Sequence, residues 1–271
     1  MNILLFFLIS TVSSCFLRIS PGVMSQGLGG VSITLDEGLT AFHNPASFEQ
    51  AEYNFTLSRW LYTTTMFSAG ASYKNNMLGI NYLSYGGIQG YNEFGNPTDR
   101  FTPFSISLVL ARKIGLFGVS VKGFNEKIDS YTYYGAGVGL SSYIEFEKVS
   151  LAAKVDNIGW EFTSNTAIPL IIASGAKFSL PENIDIYLES KSPLWELNIG
   201  IQYRYENSSF LFGIQYLKPD DLIDGAEIDF DISDLNLSGG VIIQVENYEI
   251  GYSLMWTKLS RAHQFCVKLT P

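Results

Sequence analysis

The amino-acid sequence predicts an all-β protein, folded as a transmembrane, antiparallel, up-and-down β-barrel of about fourteen strands. Three observations lead to this prediction: repeated alternation of apolar and polar residues, a shortage of charged residues, and a regular order of short and long connections. The alternation starts near Tyr53 and continues to the last residue, with almost no helical pattern between the runs. Because successive side chains of a strand point to opposite faces, each run predicts a strand with one apolar and one polar side.

The clearest run gives one face to large apolar side chains and the other face to polar residues or glycine. Its apolar residues are Trp195, Leu197, Ile199, Ile201 and Tyr203. A soluble β-sandwich could bury such faces against each other, and we keep that fold as the alternative. About fourteen runs in succession favour a closed barrel. The predicted strands lie near residues 53–60, 64–73, 77–86, 103–111, 116–124, 134–144, 149–157, 169–179, 184–190, 195–205, 210–217, 235–245, 248–257 and 262–270.

The composition indicates that the apolar faces point outward, towards lipid. Of the 271 residues, 14% are aromatic and only 16% are charged, whereas soluble domains carry about a quarter charged residues. No internal segment is apolar over the ~20 residues that a transmembrane helix requires. One barrel accounts for the whole length, without a second domain. The net charge of −9 argues against a nucleic-acid partner, because no basic stripe is present to neutralise phosphates.

The connections alternate between short turns and long loops, and the links after even-numbered strands are the short ones. Outer-membrane barrels place short turns in the periplasm and long loops outside the cell. We therefore predict a location in the cell outer membrane with that orientation, and pairing of the last strand with the first. The two-residue link Glu246–Asn247 also predicts that Val245 and Tyr248 lie opposite each other on one face. The long connections are Gly86–Thr102, Asn125–Tyr133, Ile158–Ile168 and Lys218–Asp234.

The first residues indicate export. Residues 1–17 carry no charged side chain and contain the apolar stretch Leu4–Ile9, followed by small polar residues; this pattern predicts a secretory signal peptide. Val12–Cys15 also resembles a loose lipobox, in which Cys15 would become a lipidated N-terminus. We favour removal of Cys15 with the leader. The other cysteine, Cys266, is predicted to face inward on the last strand, so no disulfide framework is expected.

A glycine-rich segment separates the leader from the first strand. It contains Gly27-Leu-Gly-Gly30 and, further on, Asn44-Pro-Ala46. The glycines follow no predicted parallel strand, so a dinucleotide site is disfavoured. Glycine permits close approach of two backbones and Asn-Pro favours a turn. The segment is therefore predicted to pack against the rest of the protein.

Gly27–Gly30, Asp36-Glu37 and Asn44–Ala46 together resemble the N-terminal signature of the PorV/PorQ family. That family belongs to the wider group of fourteen-stranded barrels related to the FadL-type long-chain fatty acid transporter. The resemblance covers most of the mature chain, and Asn-Pro-Ala is its most specific element. Further similar stretches are Tyr82–Gly95, Gly118–Lys122 and Ala152–Gly159.

The resemblance implies that a hatch, residues 18–51, folds into the lumen of a barrel formed by residues 52–271. It also implies two roles that relatives perform: passage of hydrophobic compounds, and an outer-membrane part in type IX secretion. The hatch motif consists of Gly27, Gly29, Gly30, Asn44, Pro45 and Ala46.

Charged residues at inward positions of the strands are predicted to line the lumen. In so narrow a barrel, we expect them to pair with each other and with the hatch rather than to form a selective channel. They are Lys154, Asp156, Lys177, Asp185, Glu189, Glu196, Arg204, Glu249 and Lys268.

No catalytic or cofactor site emerges from the sequence. His43 and His263 lie at opposite ends of the chain, and no histidine or cysteine cluster has the spacing of a zinc site. His43 is predicted to make a structural hydrogen bond within the hatch. An acidic stretch near 219–234 offers oxygen ligands of the kind that calcium binds, but its spacing is irregular and we favour a solvated extracellular loop. Its acidic residues are Asp220, Asp221, Asp224, Glu227, Asp229, Asp231 and Asp234.

Two functions remain for a non-enzymatic outer-membrane barrel in contact with lipid. The first is a PorV/PorQ-type role in protein secretion or cell-surface export, with secretion components or exported proteins as partners. Such a role predicts an apolar patch on the long loops, with Tyr91, Phe94 and Phe101 as candidates. The alternative is a FadL-like conduit for hydrophobic small molecules, which would have an apolar pocket and a kinked strand. Gly86-Gly87 and Gly239-Gly240 are candidate kinks.

Overall fold

The computed structural model describes residues 15–60, 63–91, 94–192, 196–217, 234–258 and 261–271. The leader up to residue 14, Trp195, and all of the acidic stretch except Asp234 lie outside this part of the chain. The signal peptide and the removal of Cys15 with it therefore stay predictions, as does the solvated loop favoured over a calcium site.

The described residues form an all-β, antiparallel, closed barrel. Fourteen strands build its wall, and three short strands (β4, β5 and β10) lie in the connections. The strands are β1 Glu52–Trp60, β2 Thr64–Tyr73, β3 Asn76–Ser84, β4 Ile88–Tyr91, β5 Pro97–Phe101, β6 Phe104–Ile114, β7 Phe117–Ile128, β8 Tyr131–Glu145, β9 Val149–Glu161, β10 Thr166–Ala167, β11 Ile171–Leu180, β12 Ile184–Ser192, β13 Glu196–Tyr205, β14 Ser208–Leu217, β15 Leu235–Val245, β16 Tyr248–Trp256 and β17 Arg261–Leu269.

Each wall strand pairs with the wall strands before and after it in the sequence, which is an up-and-down topology. The barrel closes where β1 pairs with β17, with Tyr53 opposite Leu269. The predicted pairing of the last strand with the first is therefore confirmed. Val245 also lies opposite Tyr248 across the Glu246–Asn247 turn, as the alternation predicts.

The wall is apolar outside and polar inside. On β1, the outward side chains of Tyr53, Phe55 and Leu57 are 44%, 52% and 58% exposed, whereas Asn54 and Thr56 between them are buried. This arrangement excludes the soluble β-sandwich, which would bury its large apolar side chains. Among the described residues, no helix has the length and apolar character needed to cross a bilayer.

Two predicted loops are wrong in part. Asn125–Tyr133 is not a long loop, because β7 and β8 remain paired as far as Ile128 and Tyr131. Only a tight turn remains between them, with Asp129 at φ 54°. Within Ile158–Ile168, β9 continues to Glu161 and the chain returns through β10. Beyond the lipid both faces of a strand can be polar, so the alternation that marks membrane strands is lost although the hydrogen-bonded ladder continues.

The predicted kink at Gly239-Gly240 is wrong, because β15 pairs with both neighbouring strands there in unbroken register. Gly86 has a φ of 77° but lies after the end of β3. The register shifts instead in the β8–β9 ladder, where Gly139 lies opposite both Asp156 and Asn157. Asn157 has a φ of 61°. These features describe a β-bulge, which bends one strand relative to its partner.

Candidate functional site

Residues 18–51, here called the lumen segment, lie inside the barrel. They contain one short helix, α1 (Val23–Gly27), and a 3-10 turn at Pro45–Ser47. Most of their side chains are buried, and their contacts reach strands on every side of the wall. Lys113 of β6, Lys154 of β9 and Lys191 of β12 each donate a hydrogen bond from Nζ to a backbone carbonyl of this segment.

The glycines of the predicted hatch motif lie against β14, and Gly29 meets its backbone. Gly29 and Gly30 have φ values of 73° and 89°, which side-chain-bearing residues rarely adopt. A Cβ added at Gly29 would lie 2.7 Å from the backbone nitrogen of Ile214, and one added at Gly213 would overlap the nitrogen of Gly29. Gly27 packs against the Leu211 side chain. Glycine on both partners thus lets the two backbones touch.

The Asn-Pro-Ala residues form a compact turn at the opposite wall. Asn44 accepts a hydrogen bond from Ala46 N at 2.9 Å, and its Nδ2 donates to the carbonyl oxygens of Ile33 (2.8 Å) and Ser142 (3.2 Å). Pro45 begins the 3-10 turn, where a missing N–H has no cost. The turn lies on Gly118 of β7, where an added Cβ would come within 2.5 Å of Ala46 N.

Each of the nine charged residues predicted to line the lumen takes part in an ion pair. Asp156 pairs with Lys154 (2.8 Å), and Asp185 with Lys177 (3.6 Å) and Arg204 (2.8 Å). Lys268 lies 3.2 Å from Glu249 and 3.2 Å from Glu52. Glu196 pairs with Lys191 at 2.8 Å.

Three partners in these pairs are absent from the residues chosen from the sequence: Glu52, Lys122 and Lys191. Lys122 lies 3.1 Å from Asp156, and Lys191 lies 3.2 Å from Glu189. Lys122 occupies an inward position of the predicted strand 116–124, so the same rule would have found it, whereas Glu52 and Lys191 lie one residue beyond the predicted strands. Buried charges of opposite sign compensate each other's loss of hydration.

Three titratable residues of the lumen segment lie among protein groups; His43 and Glu37 are buried, and Asp36 is half-buried. The Nε2 of His43 lies 2.6 Å from the carbonyl oxygen of Pro21, and burial lowers the His43 pKa to about 3. Glu37 accepts a hydrogen bond from Ser25 N (3.2 Å) at the start of α1, and burial raises its pKa to about 8. Burial, followed by the charge of Glu52, raises the pKa of Asp36 to about 7.

An apolar cluster occupies the lumen near the end that carries the long connections. It contains Phe16, Met66, Leu83, Phe124 and Ile168, with Leu17, Ile19 and Tyr85 packed around it. Phe16 is only 3% exposed. Its ring meets that of Phe124 edge-on, with the centroids 6.1 Å apart. Phe16, which falls within the predicted leader, thus fills an apolar site in the lumen, and three further apolar clusters lie between the lumen segment and the wall.

A polar cavity of about 230 Å³ lies at the other end, beside the β13–β14 turn. Asp36, Glu37, Arg204, Cys266 and Lys268 are among its lining residues. Cys266 is a buried free thiol on the inward face of β17. Among the described residues, no group of His, Cys, Asp or Glu side chains is arranged to hold a metal ion.

Exposed aromatic side chains mark the rim with the long connections. Tyr91 of the β4–β5 hairpin is 67% exposed and Phe94 is 80% exposed, whereas Phe101 is half-buried. A depression of about 530 Å³ lies between this hairpin and Asp129 at the β7–β8 turn.

Comparison with known proteins relates the fold to hydrocarbon channels. The Pseudomonas putida toluene transporter TodX aligns with a TM-score of 0.57 and 13% sequence identity, over 92% of this chain and 96% of that one. A TodX deltaS2S3 mutant, described as a monoaromatic hydrocarbon channel, aligns with a TM-score of 0.59 and 11% identity, over 92% and 97% of the two chains. No protein-family model and no curated protein matches the sequence. At these identities the similarity concerns the fold.

Proposed function

We propose that this protein is a non-enzymatic outer-membrane channel that admits hydrophobic small molecules. The observation that carries the proposal is the enclosed apolar cluster around Phe16, near the end of the lumen that carries the long connections. Binding sites for hydrophobic ligands are enclosed and mostly apolar. The structural neighbours named above, which transport toluene and other monoaromatic hydrocarbons, share the fold. An apolar exterior on all sides agrees with strands that face lipid.

The lumen segment blocks a straight path along the barrel axis, so the route must leave the cluster elsewhere. The β-bulge in β9 lies beside the cluster: Ile168 approaches Gly137, next to the backbone of Asn157. Asn157 Nδ2 donates to the Pro169 carbonyl oxygen at 3.0 Å, and Lys122 Nζ donates to Asn157 Oδ1 at 2.6 Å. We place the exit through the wall at this irregular stretch, with the short turns in the periplasm and the long connections outside the cell.

Uptake by whole cells tests this function. Cells with an intact outer membrane, lacking their own hydrocarbon channel, would express the protein and be given radiolabelled toluene. We expect toluene uptake to be faster than in cells without the protein. Ile168→Trp overfills the cluster, so this variant should return uptake to the rate of cells without the protein. Phe212→Trp, on the outward face of β14, is the matched control and should keep the gain. Equal uptake with and without the protein, at equal outer-membrane amounts, would refute the proposal.

Secretion-associated docking, which the PorV/PorQ resemblance implies, is the second candidate. The exposure of Tyr91 and Phe94 on the rim favours it, because large exposed apolar side chains mark interaction surfaces. Purification from the native outer membrane should recover partner proteins, and Tyr91→Ser with Phe94→Ser should release them. If the barrel is recovered without partner proteins and cells gain toluene uptake, the docking function is excluded and the channel function remains.

A further inference from the structure

A second cavity, of about 40 Å³, lies between the lumen segment and the wall strands β7, β9 and β12. The charged side chains in its lining are Arg18, Lys122, Lys154, Lys191 and Asp156. A water molecule needs about 10–15 Å³ of such volume, whereas pockets for organic ligands measure about 300 Å³ or more. The cavity is therefore of a size for one small ion, and four cations and one carboxylate line it.

The three lysines of the wall are balanced by three carboxylates. Lys122 and Lys154 share Asp156, at 3.1 and 2.8 Å. Lys191 has two carboxylate partners of its own, at 3.2 and 2.8 Å, and neither belongs to the cavity lining. Any further cation at this place thus adds a charge for which the wall supplies no carboxylate.

Arg18 is that further cation. It is the first residue after the predicted leader, so the mature chain keeps it, and its side chain is half-buried. Its Nε is buried without a hydrogen-bond acceptor. No ion pair among the described residues includes its guanidinium group. A buried unpaired charge is unfavourable, and an arginine cannot remove it by releasing a proton.

We propose that this cavity binds one small inorganic anion of the size of chloride, which links Arg18 of the lumen segment to Lys122 and Lys154 of the wall. The ion compensates the fourth cation and supplies an acceptor to the guanidinium and ammonium groups. It is a structural ion and not a transported one, so the inference does not depend on the channel function.

The bound anion should help to hold the lumen segment in the barrel. Lys154 Nζ donates to the Phe42 carbonyl oxygen at 2.6 Å and Lys191 Nζ donates to that of Gly30 at 2.9 Å, so the lysines of this site already hold the segment by its backbone. An anion between them and Arg18 adds a contact to the start of the segment. Because it binds only the folded protein, it should raise the melting temperature.

Exchange of chloride for gluconate, an organic anion too large for the cavity, tests the site. Thermal unfolding of the full protein in an uncharged detergent would be followed at constant sodium concentration. We expect chloride to raise the melting temperature by about 2–4 °C and the effect to saturate. Arg18→Gln should abolish this rise and, in gluconate, should melt no lower than the wild type. Lys148→Gln removes a cation from an exposed turn and should keep the wild-type rise.

Chloride-35 NMR gives a second measurement that does not depend on the variants. The wild type should broaden the chloride line, and bromide, but not gluconate, should remove the broadening. No broadening, together with equal melting in chloride and gluconate, would mean that the cavity holds only water and would overturn the inference. An equal chloride effect on the wild type and on Arg18→Gln would overturn it as well, because the ion would then bind elsewhere. If Arg18→Gln does not fold, the absence of displaceable broadening by the wild type is sufficient to refute the site.

Discussion

Glu189 of β12 holds Ser32 of the lumen segment through two hydrogen bonds. Ser32 N donates to Oε2 at 2.6 Å, and Ser32 Oγ donates to Oε1 at 2.9 Å. Ile33 N also donates to Oε2, at 2.8 Å. Lys191 on the same strand lies 3.2 Å from the Glu189 carboxylate and donates to the Gly30 carbonyl oxygen. Glu189 and Lys191 of the wall therefore fix the backbone of the lumen segment at Gly30 and just after it.

Glu189→Ala should increase the mobility of the lumen segment without unfolding the barrel. The substitution leaves two buried N–H groups and the Ser32 hydroxyl without their acceptor, at a cost of about 3 kcal/mol or more, while Lys191 keeps Glu196 as a partner. Hydrogen exchange by mass spectrometry should show faster exchange in peptides covering residues 30–35, with strand peptides little changed. Glu147→Gln, in an exposed turn, serves as control. Unaltered protection of residues 30–35 would show that Glu189 is not an anchor.

Gly213→Ala should be strongly destabilising, because the new methyl group would overlap the Gly29 nitrogen on the lumen side of β14. Overpacking of this kind costs about 1–3 kcal/mol, and more when only backbone surrounds the added atom. Gly123→Ala on β7 is the matched control, since an added Cβ there meets nothing within 4 Å. Thermal unfolding in detergent, followed by a heat-dependent gel shift, should separate the two variants. Equal melting of both would contradict direct backbone contact.

Alternation predicted the wall because the lipid and the lumen impose different polarity on the two faces of each strand. The same rule places Lys154 and Glu249 inside, where the structure finds them paired. It cannot supply the partners by itself, since pairing depends on register between strands distant in sequence. It also fails beyond the lipid, where β7 and β8 continue to Ile128 and Tyr131 as a ladder without an apolar face.

From the sequence, the lumen segment can be recognised only as a glycine-rich stretch that packs against the rest of the protein. Its glycines indicate close backbone contact, but no periodicity says which strand they touch, so the contact of Gly29 with Ile214 was beyond prediction. The hydrogen bonds of Glu189 to Ser32 and Ile33 depend on the path of that segment in three dimensions. The cluster around Phe16 was missed for a further reason: residue 16 falls within the predicted leader.

The stability conferred by Glu37 should fall as pH rises. Burial raises its folded-state pKa to about 8 from an ordinary value of 4.5, so the folded protein retains a proton that the unfolded chain releases. The contribution is complete below pH 4.5 and is lost as pH rises towards 8. Glu37→Gln should reduce the change in melting temperature between pH 5 and pH 8, whereas Glu147→Gln should leave that change as in the wild type. A wild-type melting temperature that climbs over this range, with Glu37→Gln parallel to it, would contradict the raised pKa.

Asp156→Asn should be among the most damaging single changes in the lumen. Asp156 Oδ2 lies 3.1 Å from Lys122 Nζ and 2.8 Å from Lys154 Nζ; Asp156 and Lys122 are buried, and the Lys154 side chain is only 10% exposed. Removing its charge leaves two buried cations facing each other, and breaking a buried pair costs about 3–5 kcal/mol. Arg204→Gln is the comparison, because the Arg204 side chain is 45% exposed and Asp185 keeps Lys177 as a partner; exposed pairs contribute about 0–1 kcal/mol. Unfolding by guanidinium in detergent should rank the two variants in that order. A milder effect of Asp156→Asn would mean that water reaches the bulge in β9 and hydrates the two lysines. The proposed exit would then be lined by water rather than by apolar groups.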